Sequence, residues 1–427
     1  YYFLMRKFAV DLSPLKKYPD FRNLWSAGLI SYFGSMITYV SIPFQIKELT
    51  GSYIAVGAMG AVELLPLIFF GLYGGVLADK VDRQKMIWVT EALCGLASVT
   101  LLINSLLPKP SLIWLYVIGA LFAALDGLQR PSADAILPRL VSHDDMAAAS
   151  ALMSLRWQSG VIIGPSIAGI LLATTGISSA FAIDIATYAI ALIFLAKVKS
   201  VKPVEKSEAP NFKSLIEGLK YATSRKDLMG TYLVDLSAMF WAMPTALFPF
   251  WAQELNANWA LGLFYAAGTI GSILVTLTSG WIKRYDKHGR AITLAAIGWG
   301  ISIALAGATK SLFFTLLFLA LAGASDMVSA LFRGLIWNQS IADEYRGRLA
   351  GIELLSYSVG PLGGQMRSGT MAAWTNLRTS VVSGGLICIG FISIFAMILP
   401  DFRKYDAKTN KFANLEREKR KNSEQSR

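Results

Sequence analysis

Twelve apolar runs, each about as long as a bilayer is thick, leave this chain few ways to fold. They lie at 23–47, 53–78, 86–107, 112–137, 147–173, 179–197, 228–254, 259–282, 291–309, 312–337, 349–373 and 380–399. About 20 residues of α-helix cross a hydrocarbon core of about 30 Å. A segment in lipid must also satisfy its own backbone hydrogen bonds, which a helix does. The expected fold class is therefore an all-α membrane protein with twelve transmembrane helices. Composition agrees: 16% of residues are charged and 54% hydrophobic, against about 25% charged in a typical soluble domain.

One polar break is longer than the others. From Lys199 to Lys226 the chain is charged and carries Pro203 and Pro210. This divides it into a six-helix bundle over 1–198, a cytoplasmic linker over 199–226, a second bundle over 227–400 and a basic tail over 401–427. Within the linker, Phe212, Leu215, Ile216, Leu219 and Tyr221 approach helical spacing. Two readings stand: an amphipathic helix on the membrane surface, or a solvated connection. Arg6 and Lys7 are followed by polar residues, unlike a secretory signal, and Met5 is a candidate natural start that would leave Tyr1 to Leu4 upstream of it.

The net charge of +12 is explained by topology. With the N-terminus inside, the inner segments hold 32 of the 40 Lys and Arg residues and the outer loops hold 4. This asymmetry puts both termini and the linker in the cytoplasm and makes nucleic-acid binding unnecessary. The tail either touches anionic lipid or anchors topology. The other four positive residues, Arg130, Arg156, Arg333 and Arg367, lie within spans.

The halves also repeat. Residues 111–169 align with 311–369 without gaps, with 11 identities in 59 positions. Asp126 meets Asp326, and Gly160, Gly164 and Gly169 meet Gly360, Gly364 and Gly369. Parallel six-span repeats are a transporter architecture, with the substrate between them near the midplane.

Two motifs sharpen this reading. Gly75-Val76-Leu77-Ala78-Asp79-Lys80-Val81-Asp82-Arg83 resembles the loop signature of the major facilitator superfamily. The row Gly160, Gly164, Pro165, Gly169 resembles the exporter motif of the same superfamily. Leu106 to Leu112, Gly169 to Ala173, Leu263 to Ala267 and Gly347-Arg348 are similar to the enterobactin-exporter branch, itself akin to macrolide exporters. The resemblance implies the superfamily fold, with two six-helix pseudo-repeats and alternating access. It also implies that Asp79 binds the N-terminus of span 11 near Arg348. The sequence departs from the pattern at Arg284, which stands where the first copy has Asp79, and at Ala168 in the glycine row. Pro131 follows Arg130 in place of the usual continuation of the span-4 arginine motif.

The expected gating residues are Gly75, Asp79, Arg83, Asp134, Gly164 and Pro165, with Arg83 paired to Asp134. Asp126, Arg130 and Asp134 fall one turn apart on one helix face. Arginine or aspartate at mid-membrane costs about 2.5–3.5 kcal/mol on insertion scales, so this face turns from lipid. Asp126 is read either as a proton carrier or as part of a structural charge network. Glu63, near the middle of span 2, is the second candidate for proton coupling. Arg130, Arg156, Trp157, Asp326 and Arg333 are the candidate substrate-binding residues, a set suited to an acidic, aromatic molecule. The aromatics of span 7 are read as lipid-facing or packing.

Other chemistries lack their parts. Cys94 and Cys388 stand far apart, His143 and His288 lie in polar loops, and no glycine-rich loop precedes a Lys-Ser/Thr pair. Neither an enzyme nor an ATP-driven pump is indicated, and neither a metal nor a cofactor is expected. The expected partners are a small-molecule substrate, protons and membrane lipid, with the chain acting as a monomer. A siderophore of the enterobactin type is the leading substrate; macrolide-type drugs and lysophospholipids are the alternatives.

Overall fold

A computed structural model describes residues 11–78, 80–201 and 212–425. Asp79 and Tyr1 to Leu4 lie outside the described residues, as do the side chains of Arg348 and Glu353. The described residues form helices and turns. A short α1 (Ser13–Lys17) precedes α2 (Pro19–Thr50), α3 (Tyr53–Ala78), α4 (Arg83–Leu106), α5 (Leu112–Leu140), α6 (Met146–Thr174) and α7 (Ile177–Leu195). The linker carries α8 (Phe212–Ser224). Then follow α9 (Lys226–Ala242), α10 (Phe248–Glu254), α11 (Leu261–Leu277), α12 (His288–Ala308), α13 (Leu312–Ser340), α14 (Asp343–Trp374) and α15 (Leu377–Ile398). The chain ends with α16 (Pro400–Arg403) and α17 (Lys411–Gln425).

Among the described residues, eleven stretches are long and apolar enough to cross a membrane. The run expected at 349–373 falls within α14, whose Gly and Ser content, with Glu353 and Arg367, dilutes its apolar character. The run expected at 228–254 is found as one apolar stretch, Lys226–Glu254, but its helix is interrupted. Helix α9 ends at Ala242, Met243 is extended, and a 3-10 turn at Thr245–Leu247 leads into α10. Pro244 and Pro249 explain the break, since neither has an N–H to continue the ladder. The aromatics beyond it pack inward: Trp251 is fully buried and lies 5.7 Å from the Phe264 ring, while Phe248 meets Tyr265 edge-on at 4.9 Å.

Helix ends are set by local chemistry. Asp82, Ser111 and Asn376 cap α4, α5 and α15 by accepting the N–H of Lys85, Trp114 and Thr379. Gly176, at φ +85°, makes the turn into α7 that a residue with a Cβ rarely adopts.

By contact the chain divides into two units. Unit 1 comprises the described residues of Tyr1–Leu49, Leu65–Ala209 and Trp259–Gly262; unit 2 comprises those of Thr50–Leu64, Pro210–Asn258 and Leu263–Arg427. Thus each unit includes a short piece from the other half of the sequence.

The glycine rows are helix-crossing sites, and they repeat. In unit 1, a Cβ on Gly160 would strike the Tyr32 ring, and one on Gly164 would stand 2.5 Å from the Met36 Cβ. In unit 2, Gly360 and Gly364 bear the same relation to Met239 and Met243, at 2.8 and 3.0 Å. In both units the row lets two backbones approach. Gly169 closes on Gly262 in unit 1, and Gly369 on Gly57 in unit 2.

Residues 400–417 pack against the rest of unit 2. Phe402 is fully buried against Gly230 and Gly289, and Tyr405 stacks on His288 at 5.9 Å. The Phe412 ring lies 3.4 Å from the Arg225 guanidinium carbon. Arg225 in turn makes two 2.8 Å hydrogen bonds to Asp227 and one of 3.1 Å to the Ser340 carbonyl. Helix α8 packs on α14; its Gly218 and Ala222 are buried, while Ile216 and Leu219 are exposed.

Candidate functional site

In unit 1 the ionisable residues gather on α2, α4, α5 and α6. Asp126 and Arg130 form the ion pair their spacing suggests, at 3.3 Å, with both side chains about half exposed. Arg156 reaches from α6 across α2, its guanidinium filling the space above Gly28 where a Cβ would sit. Its Nε is buried and has no hydrogen-bond partner among the described residues. Glu91 of α4 and Tyr32 of α2 lie within its electrostatic reach. Tyr32 also feels Asp126 and Arg130. Glu91 itself is buried and accepts a 2.8 Å hydrogen bond from Gln129. Trp157 is 53% exposed and makes no ring contact among the described residues.

The gating residues are only partly brought together. Gly75 lies in the last turn of α3. Arg83 donates from Nη1 to the Ala135 carbonyl at 3.0 Å, beside its expected partner Asp134. The guanidinium thus docks on the backbone one residue beyond the carboxylate. Beside it, Asp82 accepts from the Ser200 hydroxyl and from the backbone of Lys85 and Val201. Partial burial pushes the Asp82 carboxyl up, but these hydrogen bonds outweigh it and hold the group below the usual carboxylate range. Gly164 and Pro165 sit inside α6, buried against α2 and against Gly262 respectively.

Unit 2 holds a second charged group. Arg333 of α13 is buried and ion-paired with buried Asp235 of α9. Asp235 also accepts the Ser356 hydroxyl of α14 at 2.9 Å. The other guanidinium nitrogen of Arg333 lies 3.7 Å from Asp326, two turns earlier on the same helix. Helical side chains lean toward the N-terminus, which carries Arg333 back toward Asp326. Arg333 is therefore already neutralised by protein carboxylates. Glu63 is half-buried on the part of α3 that belongs to unit 2.

Two participants stand out only in three dimensions. Asp235 lies within two turns of a span end by sequence, yet it is the principal partner of Arg333. Glu91, near a cytoplasmic end by sequence, is buried under Gln129. The available signal was residue type alone: an acid inside an apolar run is costly unless partnered. A third buried acid, Asp184 of α7, accepts hydroxyls of Thr38 at 2.6 Å and Ser98 at 2.7 Å, tying α7 to α2 and α4.

Comparison with known proteins places this geometry in a family. Residues 9–423 match the transmembrane secretion effector family. The chain is 28% identical over 400 residues to the enterobactin exporter EntS of Shigella boydii, covering 93% of this chain and 95% of that one. Its fold resembles that of the nucleoside transporter NupG, with a TM-score of 0.71 and 12% identity over 91% of this chain and 100% of that one. It also resembles a bacterial homologue of the iron transporter ferroportin in an inward-facing state, with a TM-score of 0.68 and 13% identity over 88% and 98%. The chain belongs to the transmembrane secretion effector family of major facilitator superfamily transporters.

Proposed function

We propose that this transporter exports a siderophore of the enterobactin type across the inner membrane, by alternating access driven by proton exchange. The end-to-end likeness to enterobactin exporters carries this reading. The unit 1 cluster supports it. A catecholate presents phenolic oxygens, and Arg156 offers a buried Nε with an unmet hydrogen bond. Hydrogen bonds between a guanidinium and an anionic oxygen are among the stronger kinds. Arg130 of α5 and the exposed Trp157 of α6 supply a further charge and a ring. Gly164 and Pro165 give α6 a backbone able to bend. In this reading the protein works as a monomer, with both termini in the cytoplasm.

A deletion strain that still synthesises the siderophore is the direct test. The molecule should accumulate inside the cells and be depleted from the medium, and the intact gene should restore secretion. Unchanged secretion overturns the proposal. Macrolide susceptibility of the same strain, and lysophospholipid uptake by its spheroplasts, separate the two other substrate classes.

A further inference from the structure

We propose that Asp326 is the carboxyl that takes up and releases the transported proton, with Arg333 and Asp235 as its fixed counter-pair. The inference rests on the proton-driven reading above and assigns its site to unit 2. It begins with charge balance. Asp235, Arg333 and Asp326 share one region with two carboxylates and one guanidinium. One negative charge is in excess beside a buried ion pair. A single proton removes it.

Geometry decides which carboxylate takes that proton. Both oxygens of Asp235 are committed, Oδ1 to Arg333 and Oδ2 to the Ser356 hydroxyl, and the side chain is 5% exposed. Protonating Asp235 would break a buried ion pair. Asp326 reaches Arg333 at 3.7 Å, beyond hydrogen-bond length, and its side chain is 37% exposed. It can therefore exchange a proton while Arg333 stays neutralised by Asp235. The step is balanced: carboxylate plus proton gives carboxylic acid, and release returns the proton to the opposite side.

The surrounding helices bring no competing cation among the described residues. Helix α11 meets α13 where Ser272 donates to the Gly323 carbonyl, and its one ionisable residue is Tyr265. Helix α12 presents Gly298 to Ser325, and its ionisable residues His288 and Arg290 lie in its first turn. On α9 the remaining acid, Asp227, is held by Arg225. Lys226 begins that helix, and Tyr232 stacks on Trp337 at 5.2 Å. On α14, Arg367 donates to the Ser380 carbonyl. Helix α17, also packed on α13, carries its charges in the cytoplasmic segment.

Two measurements test the assignment. In inside-out vesicles with an acidic lumen, radiolabelled enterobactin should accumulate in the lumen. For one proton per molecule, a gradient of about one pH unit multiplies the accumulation ratio by about ten. Asp326→Asn should abolish this dependence on the gradient, and Asp326→Glu should retain it. If wild-type vesicles accumulate the siderophore with no dependence on the gradient, the proton-driven reading falls and this assignment falls with it. If the wild type depends on the gradient and Asp326→Asn depends on it equally, the assignment alone is overturned.

The second measurement needs no substrate. Infrared spectra of purified protein should show a protonated-carboxyl band that grows on acidification and is missing from Asp326→Asn, with matched elution profiles confirming that the variant is folded. An identical band in both proteins overturns the assignment whatever the substrate proves to be.

Discussion

Arg333 survives inside an apolar helix because Asp235 meets it there, and the dependence is mutual. Removing one partner of a buried ion pair leaves an uncompensated charge and costs about 3–5 kcal/mol, whereas replacing both by apolar residues is often neutral. Arg333→Ala should therefore sharply lower the melting temperature of the detergent-purified protein. The pair Arg333→Met with Asp235→Leu should recover most of it, and equal losses in single and double variants would contradict the pairing. At the C-terminal end of α1, the Lys17 hydrogen bond at 2.7 Å, followed by that of Tyr18, holds the Asp145 carboxyl below the usual range. Stability from a depressed carboxyl is present above its unfolded pKa near 4 and is lost as pH falls through the folded value. Hydrogen-exchange protection at residues 142–149, taken relative to the intrinsic rate at each pH, should thus hold steady through neutral pH and fall only in acid, and Asp145→Asn should flatten that fall. The sequence made Asp126 with Arg130 readable because a one-turn spacing is local. Asp235 with Arg333 was not readable, because their approach depends on how α9 packs on α13.

At the level of elements, the glycine rows were legible as a repeat, and the structure supplies their partners. Gly262 packs so closely on α6 that a Cβ would collide with the Pro165 carbonyl. Gly262→Leu should pry this crossing apart, at the 1–3 kcal/mol typical of overpacking. A cysteine at Ser166, half-buried beside it, should then react faster with a maleimide. An unchanged labelling rate would mean that the crossing tolerates the side chain. Two elements have detail that composition does not carry. The seventh apolar run looks continuous because hydropathy is blind to the missing N–H groups of Pro244 and Pro249. The C-terminal segment reads as a basic tail because its lysines and arginines outnumber the three aromatics, Phe402, Tyr405 and Phe412, that dock it. Phe402→Ala should cost about 3–5 kcal/mol, as for a buried aromatic, and should show as a lowered melting temperature.

For the whole molecule, the spans were the most legible feature, since hydropathy acts on the chain regardless of packing, and lysine placement adds an expected orientation. Alkaline phosphatase fused after Arg427 should be inactive and a fluorescent protein active, with the reverse for insertions at Lys109. An active C-terminal phosphatase would overturn the topology. What composition could not show is that division by contact differs from division by sequence. The turn at Trp259–Gly262 belongs to unit 1, and the first part of α3 belongs to unit 2. This has a consequence for biogenesis. When the ribosome has finished α7, the groove of α6 around Pro165 and Gly169 still lacks Gly262, and the start of α3 still lacks Gly369. Neither unit can be completed from its own half of the nascent chain. The early helices must therefore wait in the bilayer, accessible to insertases and proteases, until the second half has been made.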